Sequence, residues 1–429
     1  MIKTPIKSFL WVVPAWPFPP GDGAAIARAN LISSLLECGY EIDMLVLSNS
    51  LLSDFEIPEN LPIGRVYCIK TNTEHRFLKP FYYALMSLID WYTPVVMLRF
   101  GGHKVRSSIN TMLDETGCKW DAIVYDGLHV AAHQMHLGNY QRTALPVVIY
   151  RAHNVESDIW FRMAEQEKNS LLRLFLRMQA KRVAKFETSL VQKADCVATV
   201  SSADFLKLQQ QVPQIQGGVV PISFTFDQPL QFPEPAEKIH IMFLGRLDWL
   251  PNKEGLVWFL KNVWPKVIQA RSDLHLTIAG SGDSGWMSHY TSLPNVSFLG
   301  KIQDIEQLYQ QSCLVIVPIF YGSGTRVKII EACRYGRPCL STTLGAEGVG
   351  LENLHSYYCA DDLVSWVSCL VNLKPELLKN IGDNAFNKTK SVFDHGVARD
   401  EFIKLVRAVE TGHPVLHTTP PDLTDQSPI

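Results

Sequence analysis

The sequence has no surplus of either charge: 40 Lys and Arg stand against 42 Asp and Glu, a formal net charge of -2. A nucleic-acid binder usually carries a basic excess or a basic face, so that class is set aside. Nor is there a Cys-x-x-Cys pair. The nine cysteines are an odd number scattered from Cys38 to Cys369, which fits free thiols in a reducing compartment and gives neither a disulfide framework nor a zinc site. No apolar run approaches the roughly 20 residues needed to cross a bilayer. Near the start, Phe9 to Val13 ends at Pro14, too short for the core of a secretory leader, and reads as a first buried strand. These absences point to a cytoplasmic protein. With 429 residues, 47% of them hydrophobic and 19% charged, the chain can bury two or three domain cores.

What is there is an alternation of short apolar runs and helical patterns, the signature of parallel α/β units. Phe9 to Val13, Tyr40 to Leu47, Val66 to Lys70, Trp120 to Asp126, Pro146 to Tyr150 and Asp195 to Val200 read as strands of a first domain, the last of these closing it. Gln209 to Glu237 is rich in Gln, Pro and Gly and reads as the region of a linker, with Val219 to Ile222 a short strand at its start. A second series follows at Ile239 to Leu244, Leu274 to Ala279, Asn295 to Leu299, Cys313 to Val317 and Pro338 to Ser341. The expected division is 1–222, a linker at 223–238, a second domain at 239–395, a helix at 396–411 crossing back to the first domain, and a disordered tail at 412–429.

Candidate chemistry gathers at strand ends, where open α/β sheets bind ligands. After Cys313 to Val317 comes Gly322, Ser323, Gly324, Thr325, Arg326, Val327 and Lys328, a strand-to-helix turn whose amides and cations suit phosphate. Glu331, one helical turn in, is the only carboxylate from Cys313 to Thr343 and suits a ligand hydroxyl; the same charges also fit an exposed helix face paired at i,i+3. Arg246 follows a strand and can meet an anion, and Asn252 reads as the cap of a helix from Glu254. Gly21 and Gly23 make a second glycine turn. Asp126 ends a strand, and His153 follows another beside Asn154 and Glu156, a setting for a donor or acceptor near neutral pH. Gly280, Gly282 and Gly285 match the dinucleotide-binding spacing. That match keeps an NAD-linked enzyme as an alternative.

Two stretches suggest a surface role. Residues 75–100 are unusually aromatic, and residues 168–185 hold six basic and no acidic residues on a helical pattern. Either can lie on an anionic membrane face, and either can be an ordinary packed or solvated helix.

The motifs of the second domain resemble the retaining nucleotide-sugar glycosyltransferases of the group 1 family, related to glycosyltransferase family 4. The likeness is carried by Phe243 to Arg246 with Trp249 to Asn252, by Phe298 to Gly300, and by Gly322 to Lys328 ending in Glu331 and Ala332. The first domain joins it more loosely through Gly21, Gly23 and His153 to Glu156. The resemblance implies a GT-B architecture, two Rossmann-like doubly wound domains facing across a cleft, with the donor in the second and the acceptor in the first. It implies a nucleoside-diphosphate sugar as substrate, from UDP or GDP, transfer to a glycan or lipid-linked acceptor, no metal and no other cofactor. By the same likeness Glu331 holds the ribose, Arg246 meets the diphosphate with Lys253 or Lys328 beside it, Gly324 and Thr325 offer amides, and His153 lies by the sugar. Gly21, Gly23, Gly282, Ser323 and Arg326 complete the donor-side candidates; Asp126, Asn154 and Glu156 are the acceptor-side ones. The wider family often has a second glutamate eight positions before Glu331, where this chain has Ser323. That departure leaves a catalytically inactive sugar-nucleotide-binding protein as a further alternative.

Overall fold

A computed structural model of the chain describes residues 5–20, 23–71, 94–101, 103–136, 146–233, 238–321 and 326–412. Gly21, Ser323, Gly324, Thr325, most of the aromatic segment (75–93) and the tail from 413 lie outside these described residues. The chain forms two units. One holds the residues up to Ser223 together with the helix that starts at His395, and the other holds Phe224–Asp394.

The first unit is a seven-stranded sheet of β1 (Ser8–Val13), β2 (Glu41–Ser48), β3 (Val66–Lys70), β4 (Ala122–Asp126), β5 (Val147–Ala152), β6 (Cys196–Thr199) and β7 (Gly217–Val219). Its order is β3-β2-β1-β4-β5-β6-β7, with every pair parallel. A parallel sheet is covered on both faces, so its central strands must be apolar on both. β1 meets that demand: Phe9, Trp11 and Val13 join one core cluster while Leu10 and Val12 join the other. α1 (Gly23–Glu37) follows β1. It stops at Gly39, whose φ of 83° lets its own N–H reach the Leu36 carbonyl and the Tyr40 N–H reach Leu35. Beyond it lie α2 (His103–Glu115), the hairpin of α3 (Glu156–Gln166) and α4 (Ser170–Lys193), and α5 (Ser202–Gln211), which Ser201 caps by accepting from the Asp204 N–H.

The sheet does not end at β6, as the sequence suggests, nor is the next strand at Val219 to Ile222. β7 runs two residues earlier, and it can do so because Gly217 has no side chain: a Cβ there would stand 1.9 Å from the Val197 carbonyl oxygen.

The second unit is a six-stranded sheet of β8 (Ile239–Leu244), β9 (Leu274–Ala279), β10 (Val296–Gly300), β11 (Leu314–Val317), β12 (Cys339–Ser341) and β13 (Tyr358–Cys359). The order is β10-β9-β8-β11-β12-β13, again parallel throughout. Its helices are α6 (Leu250–Trp258), running through a π-turn at Phe259–Val263 into α7 (Trp264–Ala270), then α8 (Ile305–Gln311), α9 (Val327–Arg334), α10 (Leu363–Val371) and α11 (Pro375–Phe393). Asn252 is not the cap of α6. Trp249 takes that place and Pro251 sits in the first turn, where a missing N–H costs nothing. The Asn252 side chain is thereby released for another task. The segment after Ser223 belongs to this unit. The Phe224 N–H donates to the Phe393 carbonyl at 2.8 Å, and the buried Arg337 guanidinium donates to the Leu230 and Gln231 carbonyls at 3.2 and 2.7 Å.

The last helix, α12 (His395–Thr411), returns to the first unit. Phe402 on it stacks at 5.5 Å from Trp11 and 5.9 Å from Phe9. No helix among the described residues is long and apolar enough to cross a membrane.

Backbone contact without a side chain also fixes α6, since a Cβ on Gly255 would stand 1.6 Å from the Pro318 carbonyl oxygen at the end of β11. Gly255→Ala should therefore lower unfolding free energy by about 1–3 kcal/mol, as overpacking does, read as a lower urea midpoint. An unchanged midpoint would mean that α6 is not held by this contact.

Candidate active site

In both sheets the strand order reverses once, between β1 and β4 and between β8 and β11, and ligands of such sheets bind outside the carboxyl ends at that point. Most of the described candidate residues lie just there.

In the first unit Asp126, at the end of β4, is fully buried. One carboxylate oxygen accepts from Trp11 Nε1 at 2.8 Å and Arg151 Nη1 at 3.2 Å; the other accepts from Arg28 Nε at 3.1 Å and from His153 Nε2. Burial alone would raise its pKa, but Arg151, His153 and Arg28 outweigh it and hold the carboxyl well below the usual range. Asp126 is thus no direct acceptor contact, as the sequence suggests. It is sealed beneath His153, whose side chain is 12% exposed, and it orients that ring. Burial first, and then Arg151, hold the imidazole below its ordinary pKa against the pull of Asp126. Nε2 faces the carboxylate, so a neutral ring with its proton there leaves the lone pair of Nδ1 to accept.

Glu156 opens α3 and Asn154 precedes it, half-buried. The first turn of α3 has no cap of its own; Glu187 on α4 supplies one, accepting from the Glu156 N–H at 2.8 Å and from Ser157 N–H and Oγ at 3.2 and 2.7 Å. Burial and this neighbouring carboxylate push Glu156 up to about 7, so at neutral pH it is partly protonated and can either give or take a proton. Gly23 begins α1.

In the second unit the Arg246 guanidinium lies past β8, gripped by Asp248 through Nε at 3.0 Å and Nη2 at 2.8 Å. Asp248 in turn sits against Gly282, where a Cβ would be 2.3 Å from its carboxylate oxygen. Gly280 is just as tightly placed, its missing Cβ leaving room for the Gly245 carbonyl oxygen. After it comes only a short 3-10 turn at Gly285–His289, not the crossover helix on which a dinucleotide pyrophosphate rests. Of the dinucleotide-like glycines, Gly280 is therefore used for packing and Gly282 for seating Asp248.

Of the two candidate lysines, Lys328 is the one brought to the strand ends. Asn252, nearly fully buried, donates through Nδ2 to the Arg246 carbonyl at 2.8 Å and accepts from Lys328 Nζ through Oδ1. The ammonium stands 4.8 Å over the Phe243 ring, and a Cβ on Gly245 would be 3.1 Å from it. Burial, then Arg326, bring its pKa down to about 7. Lys253 instead lies along Trp286, 5.9 Å from the ring centre. One turn after Lys328 on α9, Glu331 accepts from Tyr309 Oη at 3.3 Å, and Tyr309 is itself stacked at 4.5 Å on Tyr335. Burial raises the Glu331 carboxyl against the opposing pull of Arg334, Tyr309 and Lys328. Arg326 is placed differently from a donor ligand: 5% exposed, it donates through Nε to the Leu344 carbonyl at 3.1 Å and approaches Glu347 at 3.8 Å. It braces the loop after β12.

Reading the sequence missed the supporting residues Trp11, Arg28, Glu187, Asp248 and Tyr309. Only Asp248 carried a local signal, two positions from Arg246. The others come from distant elements.

Residues 238–373 match the family model of glycosyl transferases group 1, and the second unit is a glycosyltransferase domain of that family. The whole chain has the GT-B fold. It matches sucrose-phosphate synthase from Thermosynechococcus elongatus with a TM-score of 0.68 and 16% identity, over 95% of this chain and 100% of that one. HepE from Anabaena, in complex with UDP and glucose, matches with a TM-score of 0.59 and 13% identity, over 94% and 100%. In sequence the chain is 22% identical to an uncharacterized 44.6 kDa protein in the cps region of Klebsiella pneumoniae, over 88% of this chain and 94% of that protein.

Removing one partner of a buried ion network leaves the others uncompensated, so Asp126→Asn should cost about 3–5 kcal/mol of stability. Folding holds this carboxyl below its ordinary 3.8, so its contribution is complete above that pH and is lost as pH falls through the folded value. Urea titrations of both proteins at pH 7 and in acid would measure it; equal stability at pH 7 contradicts the assigned role.

Proposed function

We propose that the chain is a retaining, metal-independent glycosyltransferase. It moves a sugar from a nucleoside-diphosphate sugar, UDP- or GDP-linked, to a glycan or lipid-linked acceptor in polysaccharide, lipopolysaccharide or other glycoconjugate synthesis at the cytoplasmic face of a membrane. The observation that carries this reading is the pair of cations at the ends of β8 and β11, Arg246 held by Asp248 and Lys328 held by Asn252, one helical turn from Glu331. Support also comes from the family match, from the UDP and glucose bound to HepE, and from the cps-region relative.

In this reading the diphosphate is the leaving group. Arg246 and Lys328 neutralise the charge that develops on it as the bond to the anomeric carbon breaks, in place of a metal. Glu331, steadied by Tyr309, accepts from the ribose hydroxyls. The glycine turn at Ser323, Gly324 and Thr325 supplies amides to the donor, and His153 accepts a sugar hydroxyl at Nδ1. Asn154 and Glu156 lie on the acceptor side, with Glu156 poised near neutrality. Retention is tested by the anomeric signal of the product: a product of opposite configuration to the donor would refute that part.

Binding to the folded state raises its stability by about 2.7 kcal/mol at a hundredfold excess over Kd. A melting-temperature panel of UDP, GDP and NAD, with and without chelator, should therefore show a shift with UDP or GDP that chelator leaves intact and Glu331→Ala removes. A shift with NAD alone would overturn the proposal.

Lys328, with its pKa near 7, adds a pH signature. Diphosphate favours the charged ammonium, so binding takes up a proton above that pH, and affinity should fall as pH rises, by about tenfold per unit at the limit. Lys328→Arg stays charged and should flatten the profile. A wild-type affinity that does not fall above pH 7 would remove Lys328 from the diphosphate site.

A further inference from the structure

The turn between α3 and α4, far along the hairpin from Glu156, takes no part in this chemistry, yet it exposes a cluster of large apolar side chains. Phe161, Met163, Leu171, Leu172 and Leu174 are all exposed there, Leu171 by 81% and Leu174 by 66%. The rest of α4 does what an amphipathic helix should: Leu176, Ala180, Val183 and Phe186 are buried. The exposed leucines are therefore not misplaced core residues. Leu171 and Leu174 continue along the helix into Arg177 and Lys181, also exposed, so one face has an apolar tip and a cationic shaft. Lys168 stands at the turn, and no acidic residue occurs from Lys168 to Phe186. Of the carboxylates near the turn, Glu167 accepts from the Asn169 N–H at 2.8 Å and Asp158 is paired with Lys207 at 2.6 Å; Glu165 is exposed.

We propose that the α3–α4 turn is a docking surface for an anionic membrane, with the leucines entering the headgroup boundary and Lys168, Arg177 and Lys181 meeting lipid phosphates. Apolar side chains beside a cationic helix face are what an interfacial segment needs. Charge separates this occupant from a second copy of the chain, because self-pairing would bring the same cations face to face. The inference rests on the proposed transfer only for the reason a membrane would be near: an acceptor anchored in lipid would be reached by an enzyme held at the same surface.

The test is sedimentation of the full chain, without donor, with vesicles of phosphatidylcholine and phosphatidylglycerol or of phosphatidylcholine alone. Binding should require the anionic lipid and weaken with salt. Leu171→Glu with Leu174→Glu should lower partitioning at least about tenfold, given the apolar area removed from the boundary. Arg177→Gln with Lys181→Gln should lower it about fivefold per charge. All four side chains are exposed, so melting temperatures and the shift with UDP or GDP should match the parent. No partitioning, or variants that partition like the parent, would overturn the proposal. So would a dimer in light scattering that the leucine variant dissociates, since the patch would then be covered by a second copy. Loss of vesicle binding with an intact nucleotide shift separates failure of docking from failure of the transferase reading.

Discussion

Both sheets are parallel throughout, and that single constraint places everything else. A parallel strand must be followed by a crossover, so all carboxyl ends of a sheet leave on one edge and the loops that follow them are neighbours. In the first unit this gathers residues from β1, α1, β4 and β5 around one carboxylate. In the second it gathers the ends of β8, β9 and β11. The loops can pack this closely only where a side chain is missing, which is why Gly255, Gly280 and Gly282 sit against backbone or a carboxylate with no room for a Cβ, and why Gly245 lies tight against the Asn252 amide and the Lys328 ammonium.

The two clusters follow one electrostatic plan. Asp126 faces two buried or nearly buried guanidinium groups, Arg28 and Arg151, and burial together with these cations holds the His153 imidazole below its ordinary pKa. At the other site the Lys328 ammonium has a neutral partner in Asn252 and a ring beneath it, and no carboxylate closer than Glu331 on the next turn is bonded to it among the described residues. A cation held this way costs free energy in the empty protein, which its lowered pKa records. In the proposed reading an incoming diphosphate relieves that cost and so binds more tightly.

Asn252 shows why the site could be only partly read. Asn followed by a helical pattern looks like a cap, and local rules assign it as one. The helix instead begins four residues before Glu254, at Leu250, so the amide is spent on joining the Arg246 carbonyl to Lys328, 76 positions away. Arg326 shows the converse. Its neighbours Thr325 and Lys328 make it look like a phosphate ligand, but its long side chain reaches the Leu344 carbonyl and approaches Glu347. Asp126 was correctly placed at a strand end and wrongly given to the acceptor, because burial cannot be read from position along a strand.

The sequence by itself determined the alternation of strands and helices, the division near Ser223, the return of the last helix, and the candidate site residues His153, Arg246, Lys328 and Glu331. These are legible because periodicity, glycine turns and motif spacing act over a few residues. Only the tertiary structure decided which lysine meets the strand ends, that Asp126 is buried against His153 and Asp248 bonded to Arg246, and that Gly280 and Gly282 leave no room for a side chain. Those outcomes depend on contacts between elements as many as 115 residues apart, such as Trp11 with Asp126, and on how fully each group is withdrawn from water. Neither is encoded in any local stretch.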